Sequence, residues 1–111
     1  MNLQETERAA AAFATHARVA LADIEGKITA RYDLNAGELI SAAKCPGHSS
    51  LDILSICILV MQNGFAVIGK SAPASGQNFN ADLGRKFAYE DALRQLWPLE
   101  GYLLRDRLNG S

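Results

Sequence analysis

Residues 54–72 read LSICILVMQNGFAVIGKSA, two apolar runs joined at Asn63-Gly64. Asn-Gly between runs rich in β-branched residues signals a β-hairpin, because both turn residues tolerate the positive φ of a type I′ turn. A two-residue turn pairs Val60 with Val67, Ile58 with Gly69 and Ile56 with Ser71 on one face. It places Leu59 with Ile68 and Cys57 with Lys70 on the other. Neither face is polar. A sheet apolar on both sides must be covered twice, by helices on each face or by another subunit.

Downstream, APASGQNFN (72–80) is a loop, and Asn78 or Asn80 is the N-cap of a helix over ADLGRKFAYEDALRQLW (81–97). At 100° per residue, Ala88, Tyr89, Ala92, Leu93, Leu96 and Trp97 share one broad face suited to packing on the hairpin. Leu83 and Phe87 fall on the opposite arc among Glu90, Asp91 and Arg94, and the adjacent acids read as solvated helix charges. Pro98 breaks this helix or starts a short closing one over PLEGYLLRDRL. Upstream, residues 3–21 are rich in alanine, and Ile24, Ile28 and Tyr32 recur four apart, which reads as one or two helices. DLNAGELISAAKCPGHSS (33–50) is a softer connector with a short helical turn around Glu38 to Ala43.

The fold class implied is α+β: N-terminal helix or helices, a β-hairpin, a long helix and a short C-terminal helix, assembled into at least a dimer. Residues 1–20 form a helical arm and residues 21–111 a single α+β domain. The closing helices cover one hairpin face, and the amino-terminal helix or a second copy covers the other.

At 111 residues, 49% apolar and 21% charged, the chain has the size and composition of one globular domain. A domain this small buries only roughly 60–70% of its unfolded surface, so association with a partner remains open to it. The formal charge of −1 removes the general electrostatic reason to bind DNA or membrane, and nucleic acid is not the expected partner. The start of the chain has acids before its alanines, unlike a signal peptide, and no stretch reaches the ~18 apolar residues of a membrane span. Two cysteines, Cys45 and Cys57, form neither a CxxC nor a disulfide framework and read as reduced thiols.

The phosphate-loop, dinucleotide, nucleophile-elbow and zinc-protease signatures are all missing, so the chain reads as a non-enzyme without cofactor. His16 and His48 lack adjacent ligands; Cys45 with His48 is half of a zinc set and no second pair follows, so no metal site is expected. The best local binding candidate is the end of the hairpin with the following helix start: Lys70, Ser71, Gln77, Asn78, Asn80, Arg85 and Lys86. A helix N-terminus offers unpaired N–H groups and a positive dipole end, and these basic residues add attraction for phosphate. The bland reading is a capped helix with solvated basic residues. Leu83 and Phe87 are the candidate protein-docking pair.

Taken in order, NGF at 63–65, GKSA at 69–72, NF at 78–79, GRK at 84–86 and WPLEGYLL from Trp97, with ALADIEGKI upstream, resemble a family of small tailed-bacteriophage proteins. This is the phage gene product forty-nine / sixty-six family, and the likeness spans roughly residues 20–108. Asn80 stands where the family pattern has an acid, and APASGQ replaces a loop that often carries a cysteine. The resemblance implies a viral protein acting in the host bacterial cytoplasm, and carries no catalytic residues across. By analogy with small phage proteins, the expected function is an inhibitor of host antiviral defence that sequesters a nucleotide-like signal in an oligomer, Lys70, Arg85 and Lys86 holding phosphate. The alternative is a protein–protein inhibitor of a host protein, and the less favoured one a DNA-associated regulator.

Overall fold

The computed structural model describes residues 2–13 and 16–110. Its elements are α1 (Leu3–Phe13), α2 (Leu21–Glu25), β1 (Ile28–Asn35), α3 (Ala36–Ala42), a 3-10 turn (Ser49–Ile53), β2 (Ser55–Met61), β3 (Ala66–Ser71), a second 3-10 turn (Gly76–Asn78) and α4 (Ala81–Leu108). The strands form one antiparallel sheet in the order β1-β2-β3, so the fold is α+β.

The hairpin is present, with a different turn from the one expected. Gly64 N–H donates to the Met61 carbonyl and Met61 N–H to the Phe65 carbonyl, both at 2.8 Å, which closes a three-residue loop. Gly64 takes φ +87° while Asn63 does not enter positive φ, so the loop is a turn followed by one left-handed glycine rather than type I′. Asn63 Oδ1 accepts the Phe65 N–H instead. The extra loop residue slips the register by one: Leu59 now faces Val67, Ile58 faces Ile68 and Cys57 faces Gly69. Because side chains alternate, that slip decides which β3 residues enter the core.

Strand β1 replaces the helix expected through Tyr32. Gly26 ends α2, and the run ITARYDLN alternates apolar and polar residues, a period-2 signal that the fourfold spacing of Ile24, Ile28 and Tyr32 obscures. β1 pairs with β2 through Ala30↔Val60, Tyr32↔Ile58 and Leu34↔Ile56, with a bulge between Ile28 and Ala30. The helical turn foreseen near Glu38 is α3, capped by the Asn35 side chain, which accepts from the Glu38 N–H.

Helix α4 covers one sheet face. Ala88, Ala92, Leu93 and Leu96 pack on Cys57, Leu59, Met61 and Val67, and Leu3, Leu21 and Ile24 join the same cluster, so α1 and α2 lie on this side too. Gly69 permits the close approach: a Cβ there would collide with the Ala88 carbonyl oxygen and sit 2.5 Å from Ala92 N. Gly84 plays the same part against buried Ser55. The N-cap of α4 is Asn80, whose side chain accepts from the Leu83 N–H. Pro98 does not divide the helix, and no separate closing helix forms: α4 runs unbroken from Ala81 to Leu108. A proline inside a helix removes one hydrogen bond and costs about 3 kcal/mol, which the packed turns on its N-terminal side offset. Glu90 is buried, accepting the Leu3 N–H, and Asp91 accepts the Lys70 N–H at 2.9 Å, so neither acid is the free helix charge expected.

Candidate functional site

The basic residues proposed for phosphate are not gathered in one place. Lys70 belongs to the sheet face turned away from α4, since it pairs with Ile56. Arg85 forms an ion pair with Asp82 on its own helix and lines a cavity of about 380 Å³ together with Asp33, Glu38 and Asp52. Three carboxylates beside one guanidinium make that cavity unfavourable for a phosphate anion. Lys86 and Gln77 are exposed, and the Gln77 N–H is taken by the Ser75 hydroxyl. What does come together is Ser71, Asn78, Asn80, Leu83 and Phe87, which line a groove of about 230 Å³ at the start of α4. The docking pair Leu83 and Phe87 is therefore adjacent and about half exposed, at 48% and 47%.

A larger cleft lies at the opposite end of the molecule, where sequence reasoning placed nothing. The hairpin tip and the distal third of α4 enclose about 460 Å³ lined by Met61, Phe65, Leu96, Leu99, Tyr102 and Leu103. Phe65 closes one side from the hairpin loop; Leu99 and Leu103, one turn apart, form the other, and Tyr102 is 73% exposed at the rim. Lys27 Nζ and Glu100 Oε2, 2.6 Å apart, anchor α4 to the start of β1 and neutralise each other at the cleft wall. The apolar repeat of Leu99, Tyr102 and Leu103 was visible in WPLEGYLL, but an expected break at Pro98 left its position relative to Phe65 open.

A polar cluster ties β1 to the helices. The Tyr89 hydroxyl donates to Glu25 at 2.6 Å, the Arg31 guanidinium stacks 3.8 Å from the Tyr89 ring centroid, and Arg31 pairs with Asp33 at 3.1 Å. Burial, with Glu25 as acceptor, pushes the Tyr89 hydroxyl well above its usual pKa. Burial, reinforced by Asp33, lifts the neighbouring Cys57 thiol to about 11, so Cys57 stays protonated and inert at neutral pH. His48 Nδ1 accepts the Ser50 N–H at 3.1 Å, a cap on the first 3-10 turn, while Cys45 is exposed nearby. Among the described residues, no three His, Cys, Asp or Glu side chains are placed to hold a metal ion, and no helix is long and apolar enough to cross a membrane.

A family model, the Phage protein (N4 Gp49/phage Sf6 gene 66) family, matches residues 19–108. The chain belongs to this phage protein family. The match begins just before α2 and ends at the last residue of α4, leaving α1 outside it. Searches of curated proteins and of solved structures found no match. Several motifs that carried the resemblance now have structural roles in this chain: Gly64 turns the hairpin, Gly69 and Gly84 admit α4 to the sheet, and Glu100 holds Lys27. Phe65, Leu99, Tyr102 and Leu103, from the NGF and WPLEGYLL motifs, instead border the open cleft.

Proposed function

We propose that this phage protein is a non-enzymatic binding protein that works inside the infected bacterium by docking on a host protein. The supporting observation is the apolar cleft between the hairpin tip and distal α4. Its exposed aromatic and half-exposed leucine side chains suit the apolar face of a short amphipathic helix, with Met61 as an adaptable floor. The paired Lys27 and Glu100 leave no net charge in the wall, which favours an apolar segment over an ionic ligand. Inhibition of host antiviral defence fits such a module as one outcome of blocking a host surface. Sequestration of a nucleotide-like signal has less support, because Lys70, Arg85 and Lys86 diverge and Arg85 faces carboxylates.

The test is affinity capture from infected cells with wild-type protein and with Phe65→Asp, Tyr102→Asp and Phe87→Asp, alongside native mass spectrometry of the purified protein. The proposal expects one host protein retained by wild type and by Phe87→Asp and lost with both cleft variants. Capture that survives both cleft changes, or a nucleotide-sized adduct on the purified protein, overturns it.

A further inference from the structure

Among the described residues, nothing covers the sheet face turned away from α4, and that face is apolar. Its nine positions form three cross-strand rows: Ala30, Val60 and Ala66; Tyr32, Ile58 and Ile68; Leu34, Ile56 and Lys70. Tyr32 is 52% and Ile68 59% exposed, and Lys70 at one corner is the only charge in the grid. The alternation within β1 points the same way. Its apolar residues Ala30, Tyr32 and Leu34 lie on this open face, while Arg31 and Asp33 project to the helix side, the reverse of a strand that buries one face against its own core. α1 and α2 spend Leu3, Leu21 and Ile24 on the α4 side, so they do not serve this surface.

We infer that this face is an isologous interface with a second copy of the chain, packed sheet on sheet. The rows carry their own complement. A two-fold axis lying across the strands, between the Ala30 and Tyr32 rows, seats Tyr32 on the partner's Ala30, Ile58 on the partner's Val60 and Ile68 on the partner's Ala66, and the reverse by symmetry. Tyr32 and Ile68 thereby fill the places left by Ala30 and Ala66, Ile58 meets Val60, and Lys70 stays at the rim. Growth through the β3 edge is closed off, since Asp91 accepts the Lys70 N–H and Gln95 donates to the Ile68 carbonyl at 2.7 Å. Strand spacing of about 4.8 Å and a rise of about 3.4 Å over the seven residues of β2 give a flat footprint of roughly 340 Å² per copy. The protruding Tyr32 and Ile68 enlarge it toward the ~500 Å² per partner at which specific interfaces begin, so the dimer is of the weak class, dissociating at roughly micromolar concentration.

Sedimentation velocity of the full chain across the micromolar range tests this, with Ala66→Asp and Ala30→Glu as variants and circular dichroism as the folding control. The expected result is a concentration-dependent shift from 12.0 kDa toward twice that mass. Each folded variant should stay monomeric at every concentration, because it puts a charged group where a large apolar side chain must seat. Should one variant fail to fold, the other decides. A wild-type chain that stays monomeric up to hundreds of micromolar, or a folded variant that dimerises like wild type, overturns the inference. The cleft variants of the preceding section lie on the other side of the sheet and should dimerise normally, so this inference and the host-docking reading can fail separately.

Discussion

On the α4 side of the sheet, Cys57, Leu59 and Val67 are buried; on the other side, Ile56, Ile58, Val60 and Ile68, no less apolar, stay within reach of solvent. The side chains do not set the difference. Small residues do: Gly69, Ala88, Ala92 and Gly84 let a helix backbone come down on one face, and nothing in the described chain comes down on the other. Hydrophobicity alone does not mark which surface the chain covers itself; the placement of glycine and alanine does.

The largest effect should come from removing that permission. Gly69→Ala forces the Ala88 carbonyl and the Ala92 amide away from β3 and is expected to cost about 3 kcal/mol or more, where the adjacent open-face change Lys70→Ala costs less than about 0.5 kcal/mol. Urea denaturation of the two variants measures both. Equal losses would mean that the faces are not distinct in the way described.

Next in size is a gain. Pro98 sits in an unbroken helix, so Pro98→Ala restores a hydrogen bond to the Arg94 carbonyl and should stabilise the protein by about 2 kcal/mol, read as a raised denaturation midpoint. A loss would indicate that the helix needs a bend there to keep Leu99 and Leu103 over the hairpin tip.

The smallest effect concerns α1, which is joined to α4 through the Leu3 N–H on Glu90 and to the segment before α2 through the Glu7–Arg18 ion pair at 2.6 Å. The Arg18 guanidinium holds the Glu7 carboxyl below its ordinary 4.5, against a smaller opposing contribution from burial. A depressed carboxylate contributes stability that is present above the unfolded-state pKa and is lost as pH falls through the lower folded value. Amide resonances of residues 3–12 should therefore shift on acidification below pH 4.5, and Glu7→Gln should abolish that step. A titration that is unchanged in Glu7→Gln would contradict the assignment.

Much of this fold is legible in the residues. Asn63-Gly64 marked the hairpin, Asn78 or Asn80 the cap of α4, which is Asn80, and the Ala88–Leu96 face its packing stripe. Three features escaped for physical reasons. Asn-Gly serves a type I′ turn and a three-residue loop alike, and one residue of difference exchanges Val67 for Ile68 in the core. The alternation of ITARYDLN was masked by a coincident helical spacing. Pro98 signals a break that neighbouring contacts override. The cleft followed the last of these, because Phe65 meets Leu99 and Leu103 only if α4 continues past the proline. The residues offered for phosphate are separated for a different reason: closeness in sequence across a loop, a strand end and a helix gave no information on the direction of Lys70 and Arg85.

Which of two adjacent residues of β3 faces the core is decided by thermal unfolding of Val67→Glu beside Ile68→Glu in dilute protein. Val67 is 8% exposed against α4 and Ile68 59% exposed on the open face. Val67→Glu should abolish the cooperative transition or cost about 3 kcal/mol or more, through a charge buried without a partner, while Ile68→Glu should melt within about 1 kcal/mol of wild type. The opposite order, with Ile68→Glu the damaging change, would restore the two-residue turn, exchange the faces of β3 and contradict the structure at its centre.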